Sequence, residues 1–275
     1  MPLYQVVVLA IVQGLTEFLP VSSSAHLALV PWLFGWKDPG LIFDIALHLG
    51  TLAAVLIYFF RDWLQIIGQA FGLEIGHDPE LKRQPKLLWV LALASIPAGV
   101  FGFIFAKRAE EEWRTPWVIA TMMISIAIVM IIAEKIGSKR KDLAQLTVAD
   151  AGVIGLSQAL AIIPGTSRSG ITMATGLFRG LDRGTAGRFS FLLMTPTIGG
   201  AALKAALDLR KHPMAADMHM PFVLGIIISG IVGAFVIGLF LQYLRKHGLW
   251  FFIYYRIVFG IIVIALATFF RYTGG

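Results

Sequence analysis

Six long apolar runs dominate this chain and limit the folds that it can adopt. They cover residues 41–60, 87–106, 116–134, 185–206, 221–243 and 250–270. A helix needs about 20 such residues to cross the roughly 30 Å hydrocarbon core of a bilayer. With 57% hydrophobic and 14% charged residues, the chain has more apolar surface than a soluble domain can bury. The sequence therefore predicts an all-α polytopic membrane protein with six transmembrane helices.

Two further apolar stretches, at 3–35 and 148–178, are each interrupted by a polar motif. The first motif extends from Gln13 to His26, and the second from Pro164 to Thr172. The arms on either side contain only about 12–15 residues, which is short for a crossing. Polar and charged residues inside a membrane are costly and usually functional. We therefore predict two re-entrant helical hairpins, with function located at their polar turns.

The two halves of the chain resemble each other. Gly14-Leu-Thr-Glu17 is similar to Gly155-Leu-Ser-Gln158, and a proline and a serine-rich turn follow each segment. Three apolar runs follow each hairpin, and three crossings leave the second copy inverted relative to the first. We predict a single membrane domain over residues 1–275, with a first repeat at 1–140 and a second at 145–275. Inverted repeats of this kind place their sites where the broken segments meet near the midplane.

The distribution of Lys and Arg predicts how the chain is oriented. With this topology the loops at 61–86, 135–141, 179–188 and 245–246 lie on one side and carry more Lys and Arg than the loops opposite. The richer side is expected to be cytoplasmic. Both termini then face outward, the first hairpin enters from outside, and the second enters from inside.

The net charge of +7 and the absence of cysteine exclude several classes of function. No basic run is interleaved with exposed aromatic residues, so we attribute the charge to topology and to anionic lipid headgroups rather than to nucleic acid. A chain without cysteine has no disulfides, no thiolate metal site and no cysteine nucleophile.

The second polar motif has the composition of a phosphate cradle. Its candidate phosphate-binding residues are Gly165, Ser167, Arg168, Ser169, Gly170 and Thr172. Glycines allow the backbone to turn sharply and present N–H groups to an anion, and the hydroxyls are further donors. The planar guanidinium of Arg168 matches phosphate oxygens in a bidentate way. The alternative is a helix break in which Arg168 pairs with a buried carboxylate.

The first motif offers complementary groups. Gln13 and Glu17 are four residues apart and share a helix face, so their oxygens are suited to a hard divalent cation such as Mg²⁺ or Ca²⁺. Pro20 ends that helix and leaves a serine-rich turn with His26 just beyond it. A Ser or His nucleophile, a base and a carboxylate are the components of phosphoryl transfer. The alternatives are a structural role for Glu17 and a helix-packing hydrogen bond for His26.

Two other polar residues in apolar runs are left open. His48 lies four residues after Asp44 on an early span, where it either lines the site or forms a hydrogen bond between helices. Arg256 lies among tyrosines of the last span, where it either extends to the interface or pairs internally, and it is not assigned.

Taken together, the motifs resemble those of the undecaprenyl-diphosphate phosphatases of the bacitracin-resistance type. That family has an (E/Q)xxxE signature, which is Gln13 to Glu17 here, and a PGxSRSxxT signature, which begins at Pro164. Phe43-Asp44 before Leu49-Gly50, and the run Arg188-Phe-Ser-Phe-Leu-Leu, agree as well. The resemblance extends over essentially the whole chain. The glutamine option leaves one formal carboxylate in the first signature, so a metal site here would have less charge.

The resemblance implies hydrolysis of undecaprenyl diphosphate to undecaprenyl phosphate and inorganic phosphate, which recycles the lipid carrier of cell-wall synthesis and confers bacitracin resistance. It further implies a divalent cation, a multi-pass protein of the bacterial inner membrane, and a site open to the periplasmic side. The implied fold has six transmembrane helices plus two re-entrant helical hairpins in an inverted repeat. The implied metal ligands are Glu17 and Gln13, and the implied catalytic residues are Glu17, Ser23, His26 and Arg168. The implied substrate-binding residues are Ser22, Gly165, Ser167, Ser169, Gly170 and Thr172.

Some choices remain open at this point. Ser23 and His26 are both candidates for the nucleophile or its base. A transporter or flippase of a phosphorylated polyprenyl lipid is the alternative function, because inverted repeats with broken helices are transporter architecture. The expected partners are a polyprenyl diphosphate lipid and membrane lipids, with no nucleic acid, and a homodimer is left open.

Overall fold

The computed structural model describes residues 1–211 and 214–273. Within these ranges the chain forms helices and a single isolated β-bridge between Lys141 and Leu181. Five helices are long and apolar enough to cross a membrane by length and composition, and there are six if one bent pair is a single span. The prediction of an all-α membrane protein is confirmed.

The α-helices are numbered in chain order. They are α1 (Leu3–Thr16), α2 (Ser23–Phe34), α3 (Leu41–Tyr58), α4 (Phe60–Ala70), α5 (Pro79–Lys82), α6 (Leu87–Glu111), α7 (Pro116–Ile136), α8 (Val148–Gln158), α9 (Arg168–Phe178), α10 (Arg183–Lys211), α11 (His219–Leu244) and α12 (Trp250–Thr273). The six predicted spans correspond to α3, α6, α7, α10, α11 and α12. Local signals set several starts: Thr115 caps α7 with Pro116 at its first position, and Thr147 and Asp150 form a capping box at α8.

The region after α3 differs from its expected form as a charged connection. Residues 61–86 contain most of α4 and all of α5, and α4 bends away from the preceding helix by 75°. Phe59, at the bend, has a non-helical φ of −95° and ψ of 23°. Asp78 caps the short α5 by accepting hydrogen bonds from the backbone N–H groups of Glu80 and Leu81.

Two pairs of short helices, α1 with α2 and α8 with α9, occupy the positions of the predicted hairpins. Their turns have the same local structure. Ser22 and Ser167 each cap the second helix of their pair, with φ of 75° and 69° and ψ of 94° and 108°. Each serine hydroxyl accepts a hydrogen bond from the N–H group three residues later, that of Ala25 or of Gly170. This equivalence is what a repeat requires, while the inverted arrangement in the membrane stays a prediction.

The first helix of each pair packs closely on a long helix of the other half of the chain, α1 on α11 and α8 on α6. Gly14 lies so near α11 that a Cβ atom would be 2.7 Å from Cβ of Val232. At Gly155 a Cβ atom would collide with the carbonyl oxygen of Ala94 on α6. Small residues allow membrane helices to approach in this way. These contacts fix the position and direction of both helix pairs within the helix bundle.

The loops that the charge distribution assigned to one side meet at one end of the helix bundle. Gln84 donates hydrogen bonds to two carbonyl oxygens of the loop before α8, and the N–H of Leu249 donates to Glu134. At the opposite end, Arg114 forms ion pairs with Asp38 and Asp44, which joins the loop before α7 to the start of α3. These contacts join loops at each end of the bundle, while the orientation of the two ends in a membrane stays a prediction.

Candidate active site

The polar turns of the two hairpins lie in contact. The N–H of Gly165 donates to the hydroxyl of Ser24 over 3.4 Å, and the hydroxyl of Ser169 donates to the carbonyl oxygen of Leu19 over 3.0 Å. The residues are 141 and 150 positions apart in the chain, so the contacts are made by the fold. The predicted meeting of the two motifs is therefore present.

Glu17 lies at the centre of this junction. Its Oε1 accepts a hydrogen bond from Nη2 of Arg168 at 3.0 Å. Its Oε2 accepts from the hydroxyl of Ser23 at 2.5 Å and from Nε2 of Gln13 at 3.1 Å. The carboxylate is buried, so the Glu17–Arg168 ion pair is largely removed from water. Arg168 thus has the buried carboxylate partner that the alternative interpretation required, and that partner is the acidic residue of the first motif.

The guanidinium of Arg168 is also held by α10. Nη1 donates to the carbonyl oxygen of Ser190 at 3.0 Å and approaches its hydroxyl at 3.3 Å, while Nη2 contacts the sulfur of Met194 at 2.9 Å. The Ser190 hydroxyl is 2.7 Å from that of Thr172. Nε of Arg168 is buried and has no hydrogen-bond partner among the described residues, so it can donate to a ligand.

The predicted phosphate donors are in place around Arg168, and most of their hydroxyls are engaged within the protein. Ser167 Oγ caps α9 through the N–H of Gly170 and lies 3.2 Å from the Ser169 hydroxyl. Thr172 donates to the carbonyl oxygen of Arg168 at 2.8 Å. In the first turn, the hydroxyl of Ser22 lies 3.1 Å from that of Ser24.

His26 contacts a different part of the protein from Glu17. Its Nδ1 lies 2.7 Å from the carbonyl oxygen of Ser22, and its Nε2 lies 2.6 Å from the hydroxyl of Tyr255 on α12. Because a carbonyl oxygen only accepts, Nδ1 bears the proton, and Nε2 of the neutral ring accepts from Tyr255. The ring also stacks on Phe259, with 5.0 Å between the centroids. Both ring nitrogens are therefore occupied.

His48, which the sequence left open, lies beside Glu17. Its Nε2 is 3.6 Å from Oε2 of Glu17, and its Nδ1 is 2.7 Å from the carbonyl oxygen of Asp44. By the same reasoning Nδ1 bears a proton, and Nε2 forms an ion pair with the carboxylate only when it is protonated as well. His48, the second histidine of the first half, therefore contributes to the site, although it belongs to neither motif.

A cavity of about 330 Å³ adjoins the junction. Its wall is mainly apolar, and its polar members include Ser24, Asp44, His48 and Arg114, with Pro164 of the second motif nearby. Ligand sites of proteins are commonly apolar cavities of this size with a few polar groups. The cavity extends from the polar turns toward the end of the bundle that contains Arg114, where the loops have fewer positive charges.

The chain offers oxygen ligands for a divalent cation but no complete set. In the described part of the chain, no three His, Asp or Glu side chains are grouped in a way that could hold a metal ion. Oε1 of Gln13 is buried without a partner next to Glu17, so an amide oxygen and a carboxylate are available together. Mg²⁺ is commonly bound by one or two protein oxygens plus substrate phosphate and water. The residues present fit a cation shared with a phosphate ligand.

Comparison with known proteins places this chain in a family. The family described as bacitracin resistance protein BacA matches residues 6–262. A protein of Desulforudis audaxviator named undecaprenyl-diphosphatase is 47% identical over 264 residues, which cover 96% of this chain and 97% of the relative. Proteins of the same name from Moorella thermoacetica and Pelotomaculum thermopropionicum are each 44% identical, and the matches cover 97% and 98% of this chain and 98% of each relative. The chain belongs to the BacA family.

Both signatures that suggested this family lie within the BacA match, and both contribute to the junction. Residues 13–17 supply Glu17 and its amide neighbour, and residues 164–172 supply Arg168 and the capping serine. The glutamine at position 13 donates to Glu17, a contact that a carboxylate at that position could make only if protonated.

Several residues at the site were not selected from the sequence. Ser190 and Met194 orient Arg168; Ser190 lies in the run that begins at Arg188 and supports the family resemblance, but neither residue was assigned a role at the site. Tyr255, which binds His26, was not assigned a role either. Arg256 could be recognised from the sequence, because an arginine in the middle of an apolar run is rare and must be paired or functional.

Proposed function

We propose that this chain hydrolyses undecaprenyl diphosphate to undecaprenyl phosphate and inorganic phosphate at the junction of the two hairpins. The observation that carries the proposal is the pair of hydrogen bonds that Glu17 accepts from Ser23 and Arg168. One oxygen binds a hydroxyl of its own motif at 2.5 Å, and the other binds the guanidinium of Arg168 at 3.0 Å. A base, a nucleophile and a phosphate-binding cation are thereby brought together, as phosphoryl transfer requires. The relatives' shared name supports the same reaction.

The cavity supports an amphipathic lipid substrate. Its apolar wall suits isoprenoid units, and its polar end at Ser24 and His48 suits the diphosphate. Because the cavity extends toward the end of the bundle with fewer positive loops, the site opens to the periplasmic side of the inner membrane. The hydrolysis then renews the carrier lipid for cell-wall synthesis on the side where the diphosphate is released.

In the first step, the Ser23 oxygen attacks the terminal phosphorus while Glu17 takes the hydroxyl proton. The bond from that phosphorus to the bridging oxygen breaks, and Glu17 passes the proton to the departing undecaprenyl phosphate. In the second step, water attacks the phosphoserine, Glu17 transfers one water proton to the Ser23 oxygen, and inorganic phosphate leaves. The hydroxyl of Ser23 already donates to Glu17, whereas both nitrogens of His26 are engaged elsewhere. These contacts favour Ser23 as nucleophile.

Charge stabilisation is the main contribution of the second motif. Negative charge builds up on the phosphoryl oxygens during transfer, and positioned cations stabilise it. Nε of Arg168 has no hydrogen-bond partner in the described part of the chain and is available to those oxygens. A divalent cation held by Gln13 and Glu17 would supply further positive charge. We expect chelation with EDTA to remove activity and Mg²⁺ or Ca²⁺ to restore it.

The test is release of inorganic phosphate from a C55 diphosphate by the detergent-purified protein. Wild type should release phosphate with metal supplied, and Arg168→Ala and Glu17→Ala should each lose activity by at least about 100-fold, in the range that removal of a transition-state donor produces. Near-normal turnover in Arg168→Ala would contradict the assignment of the cradle. If wild type releases no phosphate with metal and substrate supplied, the transporter or flippase alternative replaces hydrolysis, since a carrier needs no turnover in detergent.

A further inference from the structure

Arg256 is completely buried in α12, and its guanidinium binds backbone carbonyl oxygens from three parts of the fold. Two acceptors belong to α7, one to the turn of the first hairpin and two to the turn of the second. They are Met122 at 3.3 Å, Met123 at 3.1 Å, Pro20 at 3.3 Å, Gly165 at 2.8 Å and Thr166 at 3.1 Å. One side chain therefore connects both polar turns to the helix bundle.

The charge of Arg256 is unusual because no acidic residue balances it. Within the described ranges, no carboxylate lies within ion-pair distance of Arg256, whereas Arg168, Arg183 and Arg188 each pair with Asp or Glu. Removing a cation from water is costly, and carbonyl dipoles replace only part of the lost hydration. A cation kept at this position is explained if it serves the anion site that the two turns form.

The backbone at the second turn shows how Arg256 can act on that site. The carbonyl of Thr166 is directed at Arg256, and in a planar trans peptide the following N–H, of Ser167, is directed away from it. Ser167 is the capping residue of α9 and precedes Arg168. Arg256 therefore fixes the orientation of the peptide that leads into the cradle. Its neighbour Tyr255 contacts His26 beyond the first turn, so consecutive residues of α12 contact both hairpins.

We propose that Arg256 is a positioning residue of the phosphate site, which holds the cradle of the second hairpin in line with Glu17 and Ser23 of the first. The inference rests on the proposed hydrolysis. Within the described ranges, the hydrogen bonds of Arg256 all go to backbone carbonyls, so it is not a catalytic residue. Reacting groups must be aligned closely, and a misplacement of about 1 Å can cost about 100-fold in rate. Loss of the five-carbonyl contact should therefore lower kcat, while the cradle, which is intact on its own hairpin, continues to bind diphosphate.

The test compares Arg256→Lys and Arg256→Gln with a matched control, Arg183→Lys. Lysine keeps the charge but has one nitrogen in place of the guanidinium fork, so it cannot bind both turns as arginine does. Arg183 makes a bidentate contact with Glu134 at the other end of the fold and is part of no proposed site. We expect kcat for a C55 diphosphate, per mole of monodisperse folded protein, to fall at least about tenfold in Arg256→Lys and further in Arg256→Gln, with KM changed less than about threefold.

The outcomes separate this inference from the proposed function. Absence of phosphate release by wild type would contradict hydrolysis itself. If wild type is active, a kcat within twofold of wild type in Arg256→Lys would overturn the positioning role. Loss of the folded state in both Arg256 variants, with Arg183→Lys intact, would also overturn it, because Arg256 would then be required for folding. A similar fall of kcat in Arg183→Lys would overturn it too, since any weakened arginine would then have the same effect.

Discussion

At the scale of single residues, the site depends on a buried ion pair that joins two hairpins. Glu17 and Arg168 come from different halves of the chain, and each also binds neighbours of its own half. Removing one partner of a buried pair is far more harmful than exchanging both for apolar residues, because a charge is left without compensation. A ligand can also separate this ion pair, because a bound phosphate can replace Glu17 as the anion beside Arg168.

The contacts of Ser23 and His26 lead to a prediction about the nucleophile. We expect Ser23→Ala to lower kcat by at least about 100-fold in a protein that still folds, because it removes the attacking oxygen together with its hydrogen bond to Glu17. We expect His26→Gln to retain more activity than Ser23→Ala and to melt earlier, because it loses its contact with Tyr255 and its stacking on Phe259. Phosphate release and thermal melting in detergent measure both. The reverse order of activities would make His26 the nucleophile or its base.

The sequence identified most of the site residues for a simple physical reason. Arg168, Glu17 and the serines are polar residues in apolar runs, where an unneeded polar group is costly. His48 was recognised as a candidate but could not be placed, because its value depends on a 3.6 Å approach to a residue of another helix. Ser190 contacts Arg168 through its backbone oxygen and its hydroxyl, and a single serine in an apolar helix does not reveal such contacts in advance.

At the scale of elements, close helix packing holds each hairpin in place within the helix bundle. Gly155 of α8 lies against the backbone of Ala94 on α6, whereas Gly152 of the same helix has open space around its Cβ position. The two glycines are one turn apart and differ only in what faces them. This pair offers a direct comparison of packing with intrinsic helix propensity.

We predict opposite effects for alanine at these two positions. Gly155→Ala should lower the melting temperature and kcat, because the added methyl group collides with the Ala94 carbonyl and displaces the hairpin. Gly152→Ala should be neutral or stabilising by up to about 1 kcal/mol, since alanine is the better helix former. Melting in detergent and phosphate release measure the two effects. Equal destabilisation by both changes would show that close packing at Gly155 is not the cause.

The connection between α4 and α5 should make stability depend on pH. Burial alone would raise the pKa of Asp78, but hydrogen bonds from the backbone N–H of Leu81 and attraction to Arg188 outweigh it and leave the pKa below its ordinary value of 3.8. A lowered pKa contributes stability above that ordinary value, and the contribution is lost as pH falls through the lower pKa of the folded state. We expect Asp78→Asn to lower the melting temperature at pH 7, and the difference from wild type to shrink near pH 3.

A second carboxylate provides the control for this pH dependence. Lys107 and Glu111 form a solvent-exposed pair with 3.9 Å between charged atoms, and exposed pairs contribute little. Glu111→Gln should therefore match wild type at both pH values. A difference between Asp78→Asn and wild type that is the same at pH 3 and pH 7 would show that the carboxylate charge does not stabilise this connection.

The elements were predicted unequally well from sequence. The six spans were found because uninterrupted apolar runs are read directly from the chain. The helix α4 was missed because Arg61 and Asp62 follow the run at once, so the segment resembled a charged loop. The 75° bend before it has no sequence signal such as proline. The turn geometry at Ser22 and Ser167 was also not foreseen, since a positive φ at serine is rare.

At the scale of the whole molecule, the hairpin of each half of the chain packs on a helix of the other half. The first hairpin packs on α11 of the second half, the second packs on α6 of the first half, and α7 packs on α12. Each half therefore completes the other, and neither polar turn has its full environment alone. A site that combines Glu17 and Arg168 follows from this packing, and so does the position of Arg256 between the turns.

The orientation of the whole molecule gives the last prediction, and the absence of cysteine makes it easy to test. Lys107 lies at the end of α6 nearest the cavity opening, and Lys82 lies in α5 at the other end. Both side chains are exposed, so cysteine at either position should leave the fold intact. If the end with more positive loops is cytoplasmic, as the Lys and Arg distribution predicts, a membrane-impermeant maleimide added to intact cells with a permeable outer membrane should label Lys107→Cys. Lys82→Cys should react only after the inner membrane is opened. The reverse pattern would place the cavity opening in the cytoplasm, and the lipid diphosphate would then have to be hydrolysed there.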